Sequence, residues 1–187
     1  MIITINGTPG SGKSTVARWL AEKMKMKHYA MGDLRRKMAL ERGMTIDELN
    51  KLGEKEAWTD KEADNYQIKL AKNEDNFIIE GRVSWHFMPK SIKIFLRADL
   101  EKAAERIFRE KRKSERKYKN AADVLKELKE RMKSDEKRYK KYYGINGVYD
   151  IKNYDLVIDT TNMTIEEEEK AVENAVKNQL KQAKIDF

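Results

Sequence analysis

A short apolar run, Ile2–Ile5, leads at once into Gly7–Thr8–Pro9–Gly10–Ser11–Gly12–Lys13–Ser14–Thr15, and a helical pattern follows. The segment satisfies G-x-x-x-x-G-K-[ST] in the strand-then-helix setting that gives the motif its meaning. Gly7, Gly10 and Gly12 can take backbone angles closed to other residues, so successive N–H groups can turn inward around a phosphate at a helix N-terminus. Lys13 is placed to set a point charge on the β- and γ-phosphates of a nucleoside triphosphate, and the Ser14 hydroxyl to ligate a bridging magnesium ion. A chain that begins this way is committed to an α/β fold with a polyphosphate site at the end of its first strand.

The rest of the chain fits that commitment. Short apolar runs alternate with long amphipathic stretches, the pattern of a parallel sheet covered on both faces. Five strands are predicted: Ile2–Ile5, Lys27–Met31, Phe77–Glu80, Ile92–Leu96 and Leu156–Asp159. Helices are predicted over Lys13–Met24 and over Gly32–Arg42, with Gly43 as the stop. Capping boxes at Thr45–Glu48 and Thr164–Glu167 open two more, and Asp99 caps a helix over 99–112 that is followed by another over 120–143. At 187 residues one domain is expected, with two long insertions, about 45 residues between strands two and three and nearly 60 between strands four and five.

Composition removes other classes. The absence of cysteine excludes a disulfide scaffold, a cysteine-ligated zinc site and thiol catalysis, and His28 and His86 are too few for a histidine metal centre. No stretch reaches the roughly 20 apolar residues of a membrane span, and the first residues read as strand, so no export signal is expected. The net charge of +8 is concentrated: residues 101–143 carry 17 Lys and Arg against 9 acids, and the remainder balances at 23 to 23. A basic segment on a neutral body suits an anionic ligand, be it nucleic acid, a membrane surface or a phosphorylated small molecule.

Two further signals follow strands two and three, where ligands of open α/β sheets bind. They are Gly32–Asp33–Leu34–Arg35–Arg36 at a helix start and Glu80–Gly81–Arg82. A third is Arg131–Met132–Lys133–Ser134–Asp135–Glu136–Lys137–Arg138–Tyr139, with Tyr143–Gly144–Ile145–Asn146 soon after. Together with the phosphate loop these resemble, over nearly the full chain, the nucleoside monophosphate kinases, and among them the archaeal-type cytidylate kinases. The resemblance implies a P-loop NTPase fold with strand order 2-3-1-4-5. It implies a core of 1–31, 76–100 and 150–187, a monophosphate-binding insertion over 32–75, and a lid with its adjoining helices over 101–149.

The activity implied is magnesium-dependent phosphorylation of CMP, and of dCMP, by ATP in the cytoplasm. Gly32, Asp33, Arg36 and Arg82 are implied to bind the acceptor, with Arg36 and Arg82 on its phosphate. Arg131, Asp135 and Arg138 are implied to read ribose and cytosine, and spacings of four and three do place them on one helix face. Asp33 and Glu80 are auxiliary candidates around the magnesium, through water. Arg106 and Arg112, with Arg109 or Arg116, are expected to converge on the transferred phosphoryl when the lid closes. Departures from the family pattern at Arg35, Met132 and Ser84–Trp85 bear on base choice. UMP, AMP or shikimate as acceptor, and a nucleic-acid-binding NTPase, stand as alternatives. The nucleic-acid reading is disfavoured by the acids mixed through the basic segment. A monomer is expected.

Overall fold

The computed structural model describes residues 1–110 and 118–185. Five strands, β1 Ile2–Gly7, β2 Lys27–Ala30, β3 Phe77–Glu80, β4 Ile92–Arg97 and β5 Leu156–Asp159, form one parallel sheet in the order β2-β3-β1-β4-β5. The expected order is therefore met. β1 and β4 run farther than their apolar cores suggest, because Asn6, Gly7 and Arg97 still pair with the neighbouring strand.

Alternation along each strand feeds two cores. Ile3, Ile5, Ile78, Ile94 and Leu96 point to one face, where α1 (Lys13–Met24) and the last helix, α8 (Ile165–Ile185), supply Val16, Leu20, Val172 and Val176. On the other face Phe77 and Ile79 meet Met31, Leu70 and Met88. These come from α2 (Met31–Glu41), α4 (Trp58–Asn73) and the turn after a short α5 (Ser84–Phe87). Between α2 and α4 lies α3 (Ile46–Gly53), whose Thr45 capping box forms as predicted.

After β4, Asp99 Oδ1 accepts from the amides of Glu101 (2.9 Å) and Lys102 (3.0 Å) and starts α6 (Leu100–Glu110). The continuation of that helix to 112 lies outside the described residues. Asn120 caps α7 (Ala121–Tyr143), and Gly144, at φ 68°, ends it. A 3-10 turn, Ile151–Asn153, precedes β5. The strand order reverses on either side of β1, so the phosphate loop opens at the switch point of the sheet, where such folds bind ligands.

Candidate active site

The phosphate loop is shaped by glycine backbone and by contacts with the elements around it. Gly10 and Gly12 have φ 76° and 77°, a region only glycine enters freely. A Cβ at Gly7 would overlap the Leu96 carbonyl, and one at Gly10 would stand 2.8 Å from Ala103 Cβ on α6. The Thr8 hydroxyl accepts from the Ala98 amide at 2.8 Å and faces the Ala98 carbonyl at 3.2 Å, fixing the loop to the end of β4. Lys13, Ser14 and Thr15 then open α1.

Ser14 Oγ donates to Glu80 Oε2 at 2.6 Å, joining the loop to the end of β3. Burial would raise the Glu80 carboxyl, but His28, Lys13 and Ser14 outweigh it and hold the group below the usual range. His28 Nε2 lies 3.4 Å from Glu80 Oε1. A hydroxyl beside an ionised, buried carboxylate is an oxygen donor set that suits magnesium. His28, which the sequence analysis does not place in the site, faces this pair. Asp33 is placed elsewhere: it is exposed on α2 and paired with Arg36.

The residues expected to hold the acceptor fall into two groups. Gly32, Asp33 and Arg36 lie together on the first turns of α2. Arg82, Asp135 and Arg138 form a buried cluster with Arg131 acting on its charge. Arg82 donates from Nη1 to the Gly7 carbonyl (3.0 Å) and from Nε to Asp135 Oδ2 (2.9 Å), with its guanidinium over the Tyr149 ring. Tyr149 donates to the same Asp135 oxygen at 2.7 Å. Burial alone would raise Asp135, yet Arg82, Arg138 and Arg131 keep its carboxyl below the usual range.

Arg138, 2% exposed, is bound by Asp135 and by Asp60 Oδ1 at 2.6 Å. Asp60 Oδ1 also accepts from Arg35 at 2.8 Å. Arg35 is thus not a mere departure from a pattern but the α2 end of an alternating chain, Arg35–Asp60–Arg138–Asp135–Arg82. It ties α2, α4 and α7 to the segment after β3.

Arg106, expected at the transferred phosphoryl, has its donors committed to the segment between β5 and α8. Its Nη2 donates to the carbonyls of Thr160 (2.8 Å), Thr161 (2.8 Å) and Met163 (3.2 Å), and Nη1 approaches Glu168 Oε1 at 3.5 Å. Arg109 is exposed and 4.0 Å from Glu105, while Arg112 and Arg116 lie outside the described residues. Glu168 is a site residue the sequence analysis missed. It is 3% exposed, and a Cβ on Gly12 would overlap its Oε2. Burial pushes its carboxyl up to about 7, with Arg106 opposing the shift and Glu169 adding to it.

A phosphate loop at a sheet switch point, with a hydroxyl and carboxylate that suit a metal and an arginine-rich cluster beside them, defines a nucleotide-dependent phosphotransferase of the P-loop class. Comparison with known proteins makes the class specific. The chain matches the profile of the cytidylate kinase-like family over residues 2–162 and belongs to that family. It is 40% identical to a cytidylate kinase of Methanocaldococcus jannaschii, over 95% of this chain and 98% of that one. It is likewise 40% identical to a cytidylate kinase of Methanothrix thermoacetophila, over 86% and 88% of the two chains. Among solved structures, a shikimate kinase from Bacteroides thetaiotaomicron superposes with a TM-score of 0.65 at 14% identity, covering 95% of this chain and 98% of that one, which establishes a shared fold. Among the described residues no helix is long and apolar enough to cross a membrane.

Proposed function

We propose that this protein phosphorylates CMP, and dCMP as a second acceptor, with ATP as donor, acting as a monomer in the cytoplasm. Family membership and 40% identity to cytidylate kinases over nearly the whole chain support the acceptor assignment. The single structural observation behind it is Arg82, whose guanidinium reaches both the Gly7 carbonyl of the donor loop and Asp135 of the acceptor cluster. One side chain therefore sets the distance between the two half-sites.

In the reaction an oxygen of the CMP phosphate attacks the γ-phosphorus in line, and the bond to the β,γ-bridging oxygen breaks to release ADP. No general base is needed, because a phosphate monoester with a second pKa near 6 is mostly dianionic at neutral pH. Gly7 to Thr15 supply the backbone cradle, with Thr8, Pro9, Gly10, Ser11 and Gly12 shaping it, and Lys13 neutralises charge on the transferred group. Ser14 would ligate magnesium, with Glu80 holding a water on it, and the ion would supply positive charge to neutralise the phosphates. Asp33 acts through Arg36, which grips the acceptor phosphate next to Gly32. Arg82 is the second phosphate contact, Arg131 and Asp135 face ribose and base, and the enclosed Arg138 acts through Asp135, which it holds in place. Arg112, with Arg109 or Arg116, reaches the moving phosphoryl on lid closure. Arg106, whose donors are committed to the β5–α8 loop, anchors the helix that carries the lid.

The test is ADP release from Mg-ATP with CMP, dCMP, UMP, AMP, GMP, shikimate and single-stranded RNA offered separately. Turnover with CMP and dCMP far above the others is expected. Turnover mainly with AMP or shikimate would discard the acceptor assignment, and RNA-stimulated release with no monophosphate acceptor would discard phosphotransfer.

A further inference from the structure

Glu168 is the buried acid that the reaction as written does not use. A buried acid pressed against a loop that must receive a triphosphate contributes nothing attractive to that ligand, so its presence needs a positional reason. Four contacts supply one. Its Oε2 occupies the space that a Cβ on Gly12, the N-cap of α1, would take. Its Oε1 faces Arg106 on α6 at 3.5 Å. The Arg106 guanidinium is otherwise occupied by the carbonyls of Thr160, Thr161 and Met163. Thr160 Oγ1 in turn donates to the Ser11 carbonyl at 3.2 Å.

Independently, α6 packs on the same loop at Gly10, where an added Cβ would meet Ala103 at 2.8 Å and Ile107 Cδ1 at 3.1 Å. The phosphate loop is therefore gripped from α6 at Gly10 and from α8 at Gly12, and the Arg106–Glu168 pair locks the two grips together.

We infer that Glu168 is a positioning residue for the donor nucleotide, acting through Arg106 and Gly12 to hold the phosphate loop in register with the helix that carries the lid. The inference rests on the reading of ATP as donor and adds a residue outside the motifs that define the site. Acceptor binding, built on the other side of the loop by Arg82 and Asp135, is independent of this pair.

The experiment compares E168Q, R106K and the double variant by ATP titration calorimetry and by steady-state kinetics with CMP. E168Q keeps the shape and removes the charge. Expected is a rise of about fivefold in both the Kd and the KM for ATP, with the KM for CMP within about twofold of wild type. R106K is expected to show the same donor-side loss, and the double variant no more than the larger single effect, because the two residues act as one unit. The inference is overturned if E168Q leaves the ATP Kd within about twofold. It is also overturned if both KM values rise together, which marks a merely structural role, or if the two substitutions multiply. Should E168Q fail to fold, an unchanged ATP Kd in R106K overturns the inference by itself. A wild-type protein that binds ATP but does not turn over CMP would sink the acceptor reading and leave the ATP-binding test of Glu168 intact.

Discussion

Lys13 and Asp64 show how differently a single charge acts at the mouth of the site and beneath it. Lys13 opens α1 close enough to Glu80 to lower that carboxyl. Removing it deletes a preorganised charge that matters most as the γ-phosphoryl moves. Lys13→Met should lower kcat about a hundredfold or more while the melting temperature changes little, as stopped-time ADP assays and thermal unfolding would show. Asp64 sits under the acceptor cluster, accepting from Tyr143 (2.6 Å) and Gln67 (2.8 Å). Burial pushes its carboxyl up to about 7, opposed by Tyr143 and aided by Asp60. Its folded pKa exceeds the unfolded value, so the native state binds the extra proton between about 4 and 7. The stability Asp64 contributes is present below that window and is lost as the pH climbs through it. Asp64→Asn keeps one acceptor for Gln67 and one donor for Tyr143 without the titration. Relative to wild type, the variant should gain thermal stability steadily from pH 5 to pH 7.5; parallel curves would show that Asp64 does not titrate there.

At the level of helices, the alternating chain of charges through Asp60 and Arg138 joins α2, α4 and α7. Breaking a buried pair by removing one partner strands the other, which costs more than the intact pair contributes. Arg138→Met leaves two buried carboxylates, Asp60 and Asp135, with one arginine each, Arg35 and Arg82, and so undercompensated, and is expected to destabilise by about 3 kcal/mol, read from the urea unfolding midpoint. The elements were largely legible beforehand. The phosphate loop announces itself by spacing, the five strands by apolar runs, and α3, α6 and α8 by their caps. α5 was not, since four residues carry no period. The buried charges were not legible either, for a reason visible in α8. Glu166 to Glu169 are four identical acids in a row, and only helical phase separates Glu168, which shares a stripe with buried Val172 and Val176. In α4, Asp60 and Asp64 share a stripe with Ala63, Gln67 and Leu70 in the same way. A polar residue in phase with an apolar stripe was the available signal, and composition-based reading discards it.

For the molecule as a whole, charge distribution decides between a small anionic substrate and a polyanion. The excess of bases lies within 101–143, yet the acids there are woven among them, and two of its arginines are consumed internally. Arg106 is spent on the β5–α8 loop, and Arg138 is enclosed by Asp60 and Asp135. Lys137 is paired as well, with Glu54 at 2.7 Å. The bases left over give the segment a net positive charge, with acids interleaved along its sequence. Such a charge attracts a nucleoside triphosphate weakly and is screened within about 8 Å at physiological ionic strength. A protein that neutralised six or more nucleic-acid phosphates would instead lose about a thousandfold or more in affinity between 50 and 200 mM salt. Raising KCl over that range should therefore raise the KM for ATP only about two- to threefold, and single-stranded RNA should leave the rate of ADP release with CMP unchanged. A steep salt dependence together with RNA stimulation would show that the basic segment serves a polyanion, and the lid would then need a different account.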